Sequence, residues 1–416
     1  MSEKKQQNRQ FLVILTIVFL GFIGISMPYL IFPPLFVNPE YLFLPVGWSD
    51  ASRALFLGIT LAAYPIGQFF GSPILGALSD DYGRKSLLSG SLLIAAICNL
   101  LTGIAIGGEN LALLIVSRLL AGFMEGNIAI ARAMVVDLKL LSKHDTLGKI
   151  NAVASIAYLV GPLLGGAMAD KNIFEWFSTS TPFFFTCILF SCLAGLALLI
   201  LKKSAIQSSA AMQTVWQRMN FIKRIRKLFG NKKLKFLMIV STCFTLAVDI
   251  YYEFGPVYLT LKWALGPSEL ILYNGVLCAG LAIGNGWLPT FVSSRIPQAY
   301  SILATIGGFG CLLVSMTVVD SMFWMLLLFT LSGLVIGLAV TLLTVKISDS
   351  VADSVQGEVM GTQLSLRVLG DGVICLIGGA LLIVSPKLIL LVAAVLSFTA
   401  MVYYTQRDSK LGRQDA

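Results

Sequence analysis

Long uninterrupted runs of apolar residues recur along the whole chain, each about long enough to cross a hydrocarbon core of about 30 Å as a helix. They lie at 11–34, 52–76, 86–107, 110–136, 148–169 and 182–201, then at 236–261, 270–293, 299–319, 322–346, 357–384 and 388–405. The pattern predicts twelve spanning helices in two sets of six. Only Gly107-Gly108-Glu109 separates the third run from the fourth. The short alternating segments that a membrane β-barrel needs are not found. We therefore expect an all-α polytopic membrane protein: one six-helix bundle over 1–201, a second over 236–405, a linker at 202–235 and a tail at 406–416.

Polar residues supply the orientation. The linker interleaves Val215, Trp216, Met219, Ile222 and Phe229 with Arg218, Lys223, Arg224, Arg226, Lys227, Lys232 and Lys233. That mixture predicts a basic amphipathic helix on an anionic inner leaflet, serving either as a tether or as a regulatory element. With both termini cytoplasmic, the inner connections also collect Lys4, Lys5, Arg9, Arg84, Lys85, Lys139, Lys143, Lys149, Arg295, Lys346, Arg407, Lys410 and Arg413. The outer connections hold little beyond Arg53, Lys171, Lys262 and Lys387, which is the asymmetry of the positive-inside rule. The basic start resembles that of a signal peptide, but the first run is too long and ends in Pro33-Pro34, so it is read as the first span.

A faint internal repeat agrees with the two sets of six. Gly148-Lys149-Ile150 and Gly161 match Gly357-Glu358-Val359 and Gly370 at one offset, and Gly76-Ala77-Leu78 aligns with Gly286-Trp287-Leu288, placing Arg295 opposite Lys85. Parallel repeats about an axis along the membrane normal are a recurrent transporter plan.

Composition narrows the classes further. The 416 residues are 57% hydrophobic and 12% charged, with a mean hydropathy of +0.85, which excludes a water-soluble fold. The formal charge of +9 sits at the ends of apolar runs rather than in a nucleic-acid-binding patch. Cys98, Cys187, Cys192, Cys243, Cys278, Cys311 and Cys375 all lie within apolar stretches and read as small core residues. His144, the only histidine, falls in a loop, which argues against histidine metal sites and nucleophilic triads. No phosphate-binding Gly-x-x-x-x-Gly-Lys-Ser/Thr loop occurs, so no ATP-driven step is expected within the chain. Neither a cofactor nor enzymatic activity is expected.

The loop after the second run reads Gly76-Ala77-Leu78-Ser79-Asp80-Asp81-Tyr82-Gly83-Arg84-Lys85. It closely resembles the cytoplasmic signature of the major facilitator superfamily, Gly-x-Leu-Ser/Ala-Asp-basic-x-Gly-Arg-basic, and departs from it at Asp81, where the family usually has a basic residue. In physical terms Gly76 is expected to allow close helix approach and Gly83 a tight turn, with Arg84 and Lys85 held at the inner headgroups. The resemblance implies that Asp80 is a gating latch, seated at a helix N-terminus of the opposite half, where a negative charge gains about 0.3–2 kcal/mol.

Further along, Arg118-Leu119-Leu120-Ala121-Gly122-Phe123-Met124-Glu125-Gly126 resembles the family's fourth-helix signature. Arg118, Glu125 and Arg132 recur every seven residues and share one helical face. Because an ionised side chain in the bilayer costs at least about 2.5 kcal/mol, this face must meet either a structural ion partner or a water-filled cavity. In the fifth run Gly161-Pro162-Leu163-Leu164-Gly165-Gly166 resembles the signature of the superfamily's drug:proton antiporters, with Ala157 where that signature has another glycine. Such a kinked, glycine-rich helix lets a neighbour pack at backbone distance. The opening stretch, Gly21 to Pro34, is similar to the first helix of the twelve-span branch that includes tetracycline exporters, without an acidic residue.

Coupling carboxylates are therefore sought elsewhere. Asp249 and Glu253 are one turn apart in the seventh run, Asp249 the deeper. The pair can carry protons, attract a cationic substrate, or lie near the surface as solvated groups. Arg367 and Asp371, one turn apart in the eleventh run, either pair with each other or leave Arg367 to exchange partners with Asp249 or Glu125. The resemblance implies a major facilitator fold with a central cavity between the halves. It also implies a monomeric alternating-access transporter of the bacterial inner membrane, most consistent with proton-coupled efflux of drugs or amphipathic compounds. The alternative is proton-coupled movement of one metabolite, such as an amino acid, nucleoside, sugar or siderophore. Its expected partners are the small-molecule substrate, protons and membrane lipids, with no nucleic acid.

Overall fold

Proline placement decides where the first apolar run breaks. In the computed structural model, which describes residues 3–45, 47–138, 143–202, 232–351 and 353–411, the first run divides into α1 (Glu3–Ser26), a 3-10 turn (Met27–Leu30) and α2 (Phe32–Val37). Pro28, Pro33 and Pro34 stand at first-turn positions, where a missing N–H costs nothing. There follow α3 (Asp50–Tyr82), α4 (Arg84–Gly107), α5 (Leu111–Met124), α6 (Gly126–Asp137), α7 (Lys143–Met168) and α8 (Thr181–Ile200). The second half contains α9 (Lys232–Trp263), α10 (Pro267–Gly286), α11 (Leu288–Ser293), α12 (Gln298–Val318), α13 (Met322–Ser348), α14 (Asp353–Val384) and α15 (Pro386–Leu411).

Two further predicted helices are broken. Glu125 alone separates α5 from α6, and Trp287 separates α10 from α11, with Pro289 in the turn that follows. The tight connection between α4 and α5 consists of Gly108, Glu109 with φ 53° and Asn110, whose side chain caps α5 by accepting from the Leu113 N–H at 3.0 Å. Among the described residues eleven helices are long and apolar enough to cross a membrane, α1–α2 and α5–α6 each counting as one. The helix at the fifth predicted position, α7, has 26 residues with an apolar part at Ile156–Met168. The predicted linker helix lies almost wholly outside the described residues.

The chain folds as two compact units. One contains Met1–Ser49, Ile59–Asn220 and Gly266–Ile271; the other contains Asp50–Gly58, Phe221–Leu265 and Leu272–Ala416. In the first, Ile14, Ile17, Leu88, Leu92, Ile130, Ala157 and Phe190 form the centre of the core. In the second, Phe244, Tyr251, Phe309 and Phe329 are buried together, with Tyr251 5.7 Å from the Phe309 ring and 5.2 Å from that of Phe329. Large apolar side chains such as Leu199, Val384 and Val318 point outward, as lipid permits, so close packing rather than the hydrophobic effect must hold the helices together.

Glycine makes that packing close. In the first unit Gly67 and Gly71 of α3 meet Gly122 and Gly126, so that a Cβ on Gly67, Gly71 or Gly122 would overlap a carbonyl oxygen of the facing helix. The second unit repeats the device, with Gly280 and Gly284 of α10 against Gly333 and Gly337 of α13. This is the internal repeat at its clearest, and it lies outside the positions that the sequence comparison of the halves brought into register.

All seven cysteines are free thiols. Cys98, Cys278 and Cys375 are buried as expected, but Cys192 and Cys311 lie on exposed helix surface and are not core residues.

Candidate functional site

In the first unit the fourth-run charges face inward. Arg118 and Glu125 are each only 5% exposed, too little for solvated ions, and both line a small cavity of about 10 Å³, the room of roughly one water. Tyr64, Asn99 and Asn127 line it as well. The Arg118 guanidinium lies 4.5 Å from the Tyr64 ring centroid and 5.3 Å from that of Phe32, an arrangement in which ring faces attract the cation. The Tyr64 hydroxyl is within hydrogen-bonding reach of the Glu125 carboxylate, and Arg118 and Arg132 both act on that carboxylate electrostatically. Its Oε2 atom is buried without a hydrogen-bond partner. The break between α5 and α6 occurs at this residue, with bonds of i to i+3 type from Glu125 N–H to the Gly122 carbonyl and from Ile128 N–H to the Glu125 carbonyl, each 3.0 Å.

In the second unit Arg367 does not pair with Asp371, the neighbour one turn away on α14. It turns to α9 instead: Nη2 donates to Asp249 Oδ1 at 2.6 Å, and Nε lies 3.0 Å from both carboxylate oxygens. Asp249 is 4% exposed while the Arg367 side chain is 49% exposed, so one partner is buried and the other reaches in from an open face. This geometry is a forked, charge-assisted pair. Asp371 is left with the Cys375 thiol, which approaches Oδ1 at 3.8 Å, and with the charges of Asp249 and Arg367. Glu253, one turn beyond Asp249 and partly buried, is close enough to act electrostatically on Cys375. A second polar bridge, from Gln363 Nε2 to Ser241 Oγ at 2.6 Å, ties the same two helices. The structure therefore gathers Asp249, Glu253, Arg367, Asp371 and Cys375 into one cluster, and Arg118 and Glu125 into another.

Tyr64, Asn99, Asn127 and Cys375 were not singled out from the sequence. Amides at 99 and 127 within apolar runs are the signal that pointed to them, since polar groups at membrane depth need a partner.

Residues 14–374 match the sequence family described as the Major Facilitator Superfamily. The chain belongs to that superfamily. Among its relatives, the class H tetracycline resistance protein of Pasteurella multocida is 33% identical over 199 residues, 47% of this chain and 45% of that protein. Multidrug resistance protein 2 of Bacillus subtilis (strain 168) is 30% identical over 230 residues, 54% of this chain and 52% of the relative. The chain thus spans about half the length of these relatives. Of the solved structures, the POT family transporter PepTSo superposes with a TM-score of 0.72 at 12% identity, covering 98% of this chain and 99% of that one. The nucleoside transporter NupG gives 0.69 at 15% identity, covering 95% and 99%. These likenesses establish the major facilitator fold.

The superfamily signatures can now be placed. The loop from Gly76 to Lys85 is mostly the last turns of α3, which runs to Tyr82. Gly83, with φ 89°, is the turn between α3 and α4, a conformation that suits glycine. Gly76 does not serve the expected close approach: a Cβ there would meet nothing within 4 Å, and the tight crossing of α3 is made at Gly67 and Gly71 instead. Arg84 and Lys85 open α4. The Asp80 side chain lies outside the described residues. In the fifth-run signature, a Cβ on Gly161 would overlap Ser26 Oγ and one on Gly165 the Met27 carbonyl oxygen, while Gly166 faces the Pro267 carbonyl and Ile271. α7 continues through Pro162.

Proposed function

We propose that this chain is a proton-coupled secondary transporter that exports drugs or other amphipathic compounds by alternating access. The observation that carries the reading is the buried Asp249 carboxylate held by Arg367, with Asp371 and Glu253 beside it. A proton arriving at this cluster removes one negative charge from the pair and releases the guanidinium to another acid, which is the kind of bistable contact a membrane proton gradient can drive. The superfamily supports the transport cycle, and the names of the relatives, tetracycline and multidrug resistance proteins, support the cargo and the outward direction.

In this reading Arg118 and Glu125 form the polar lining of the first bundle, and Asp249, Glu253, Arg367 and Asp371 the coupling group of the second. Asp80, Arg84 and Lys85 serve the gating loop. The bundles at 1–201 and 236–405 are the two moving bodies, with 202–235 as their tether and 406–416 as a tail. The protein works as a monomer in the bacterial inner membrane with both termini in the cytoplasm, as the distribution of basic residues favours.

Purified protein in liposomes with an imposed pH gradient, offered a panel of dyes, antibiotics and metabolites, tests the reading. Gradient-dependent movement of several unrelated amphipathic compounds is expected. Transport indifferent to collapse of the gradient would overturn the coupling, and transport confined to one polar metabolite would overturn the cargo.

A further inference from the structure

The short helix α11 lies between the ends of two membrane-length helices, α10 and α12, and none of its residues is buried. Six residues form too few internal hydrogen bonds to hold a helix in water unaided; α12 and α13 pack on one side of it, and its other face is left open. Trp287, Phe291 and Arg295 follow one another at four-residue spacing, the spacing that places side chains on one face. The rings of Trp287 and Phe291 stack with centroids 5.1 Å apart and planes 25° from parallel. The Arg295 guanidinium completes the stack, 3.8 Å from the Phe291 centroid. Trp287 is 62% exposed, and Ile296 and Tyr300, exposed to 46% and 68%, continue the apolar stripe onto α12.

Charge decides what covers this face. One amino group of Arg295, Nη1, donates to the Phe291 carbonyl at 3.1 Å and to Ser294 Oγ at 3.4 Å, which fixes the fork on the ring. Among the described residues no carboxylate forms an ion pair with it, and its side chain is exposed. Stacked aromatic rings at the mouth of a spanning helix suit the amphipathic zone of a bilayer, and a planar guanidinium beside them suits phosphate oxygens. We infer that Trp287, Phe291 and Arg295 form a docking face for an anionic phospholipid, the rings lying among the glycerol and upper acyl groups and Arg295 holding the phosphate. The exposed cation favours a lipid with net negative charge over a zwitterionic one.

Native mass spectrometry of the full-length protein extracted from bilayers of equal phosphatidylglycerol and phosphatidylcholine tests this. The wild-type protein should retain phosphatidylglycerol over phosphatidylcholine, and Arg295→Gln should lower the phosphatidylglycerol-bound fraction at least threefold while leaving the phosphatidylcholine-bound fraction unchanged. Equal retention of both lipids by wild type, or an unchanged fraction in the variant, would overturn the inference. Should Arg295→Gln fail to fold, quenching of tryptophan emission by brominated-chain lipids gives an independent reading. The emission quenched in wild type but missing from Trp287→Phe should be larger with brominated phosphatidylglycerol than with brominated phosphatidylcholine, and no difference between the lipids would again overturn it.

Discussion

The guanidinium of Arg367 grips the carboxylate of Asp249 across 118 residues of sequence, Nη2 to Oδ1 at 2.6 Å, while Asp371, one turn away on its own helix, is passed over. Removing the acid takes one partner from a half-exposed cation, and removing the cation leaves a buried carboxylate. The second loss is the worse, because Asp249 is 4% exposed and Arg367 half exposed. Breaking a fully buried pair costs about 3–5 kcal/mol, and the exposure of Arg367 reduces that to about 1–3 kcal/mol here. Arg367→Gln should therefore lower the thermal midpoint more than Asp249→Asn. Asp249→Asn, which keeps the shape, should abolish gradient-driven transport in liposomes while leaving the protein folded. If coupled transport survives that substitution, the coupling role belongs to another residue.

Glu125 provides a second, independent test. Glu125→Gln removes the charge beside Arg118 and Arg132 but retains the cavity, and its expected effect is a loss of transport of at least tenfold with normal membrane insertion. Tyr64→Phe, which deletes the hydroxyl in reach of the same carboxylate, should lower transport less. An effect of Tyr64→Phe equal to that of Glu125→Gln would show that the hydroxyl, not the carboxylate, is the working group.

The glycine crossing makes a prediction about stability alone. A methyl at Gly71 would overlap the Phe123 carbonyl oxygen, so Gly71→Ala must separate the helices and should destabilise the protein by about 1–3 kcal/mol. Gly90 of α4 has nothing within 4 Å of the same methyl, and Gly90→Ala should be neutral or stabilising by about 0.5–1 kcal/mol. Urea unfolding in mixed micelles compares the two. Equal effects would remove the crossing from the account of stability.

Asp320, in the connection between α12 and α13, accepts a hydrogen bond from Lys262 at 2.9 Å, and the same ammonium charge stabilises its ionised form. Both hold the carboxyl below its usual value of 3.8, with Lys387 adding a little. A depressed acid contributes to the fold in full above its unfolded value and loses that contribution as pH falls through the folded one, so the effect is confined to pH below about 4. Carboxyl NMR of Asp320 should show a titration midpoint below 3.8 that rises in Lys262→Met. An unchanged midpoint would mean that the contact does not persist in solution.

Most of the architecture was legible because the apolar runs have a length that only spanning helices explain. The breaks were less so. Pro28 and Pro33 are visible in the sequence, yet the interruption at Glu125 has no proline to announce it and coincides with a buried charge against the glycine crossing. Within the site, the spacing of Arg367 and Asp371 left two pairings open, because a four-residue interval shows which side chains can meet but not which way a long arginine turns. Asp249 stood among the named alternatives, and the packing of α9 on α14 selects it. Gly76 misled for a related reason: a signature marks a glycine without saying what stands opposite it.

The glycine crossings have a mechanical consequence. Where carbonyl oxygens meet α-carbons with no side chain between, there is no rotamer to switch and no slack to take up, so α3 with α5–α6, and α10 with α13, each behave as one stiff strut. Flexing within either unit has to occur away from these struts. The first-unit strut carries Glu125 within it, where two short-spaced bonds replace the regular helical ladder and where the buried carboxylate sits.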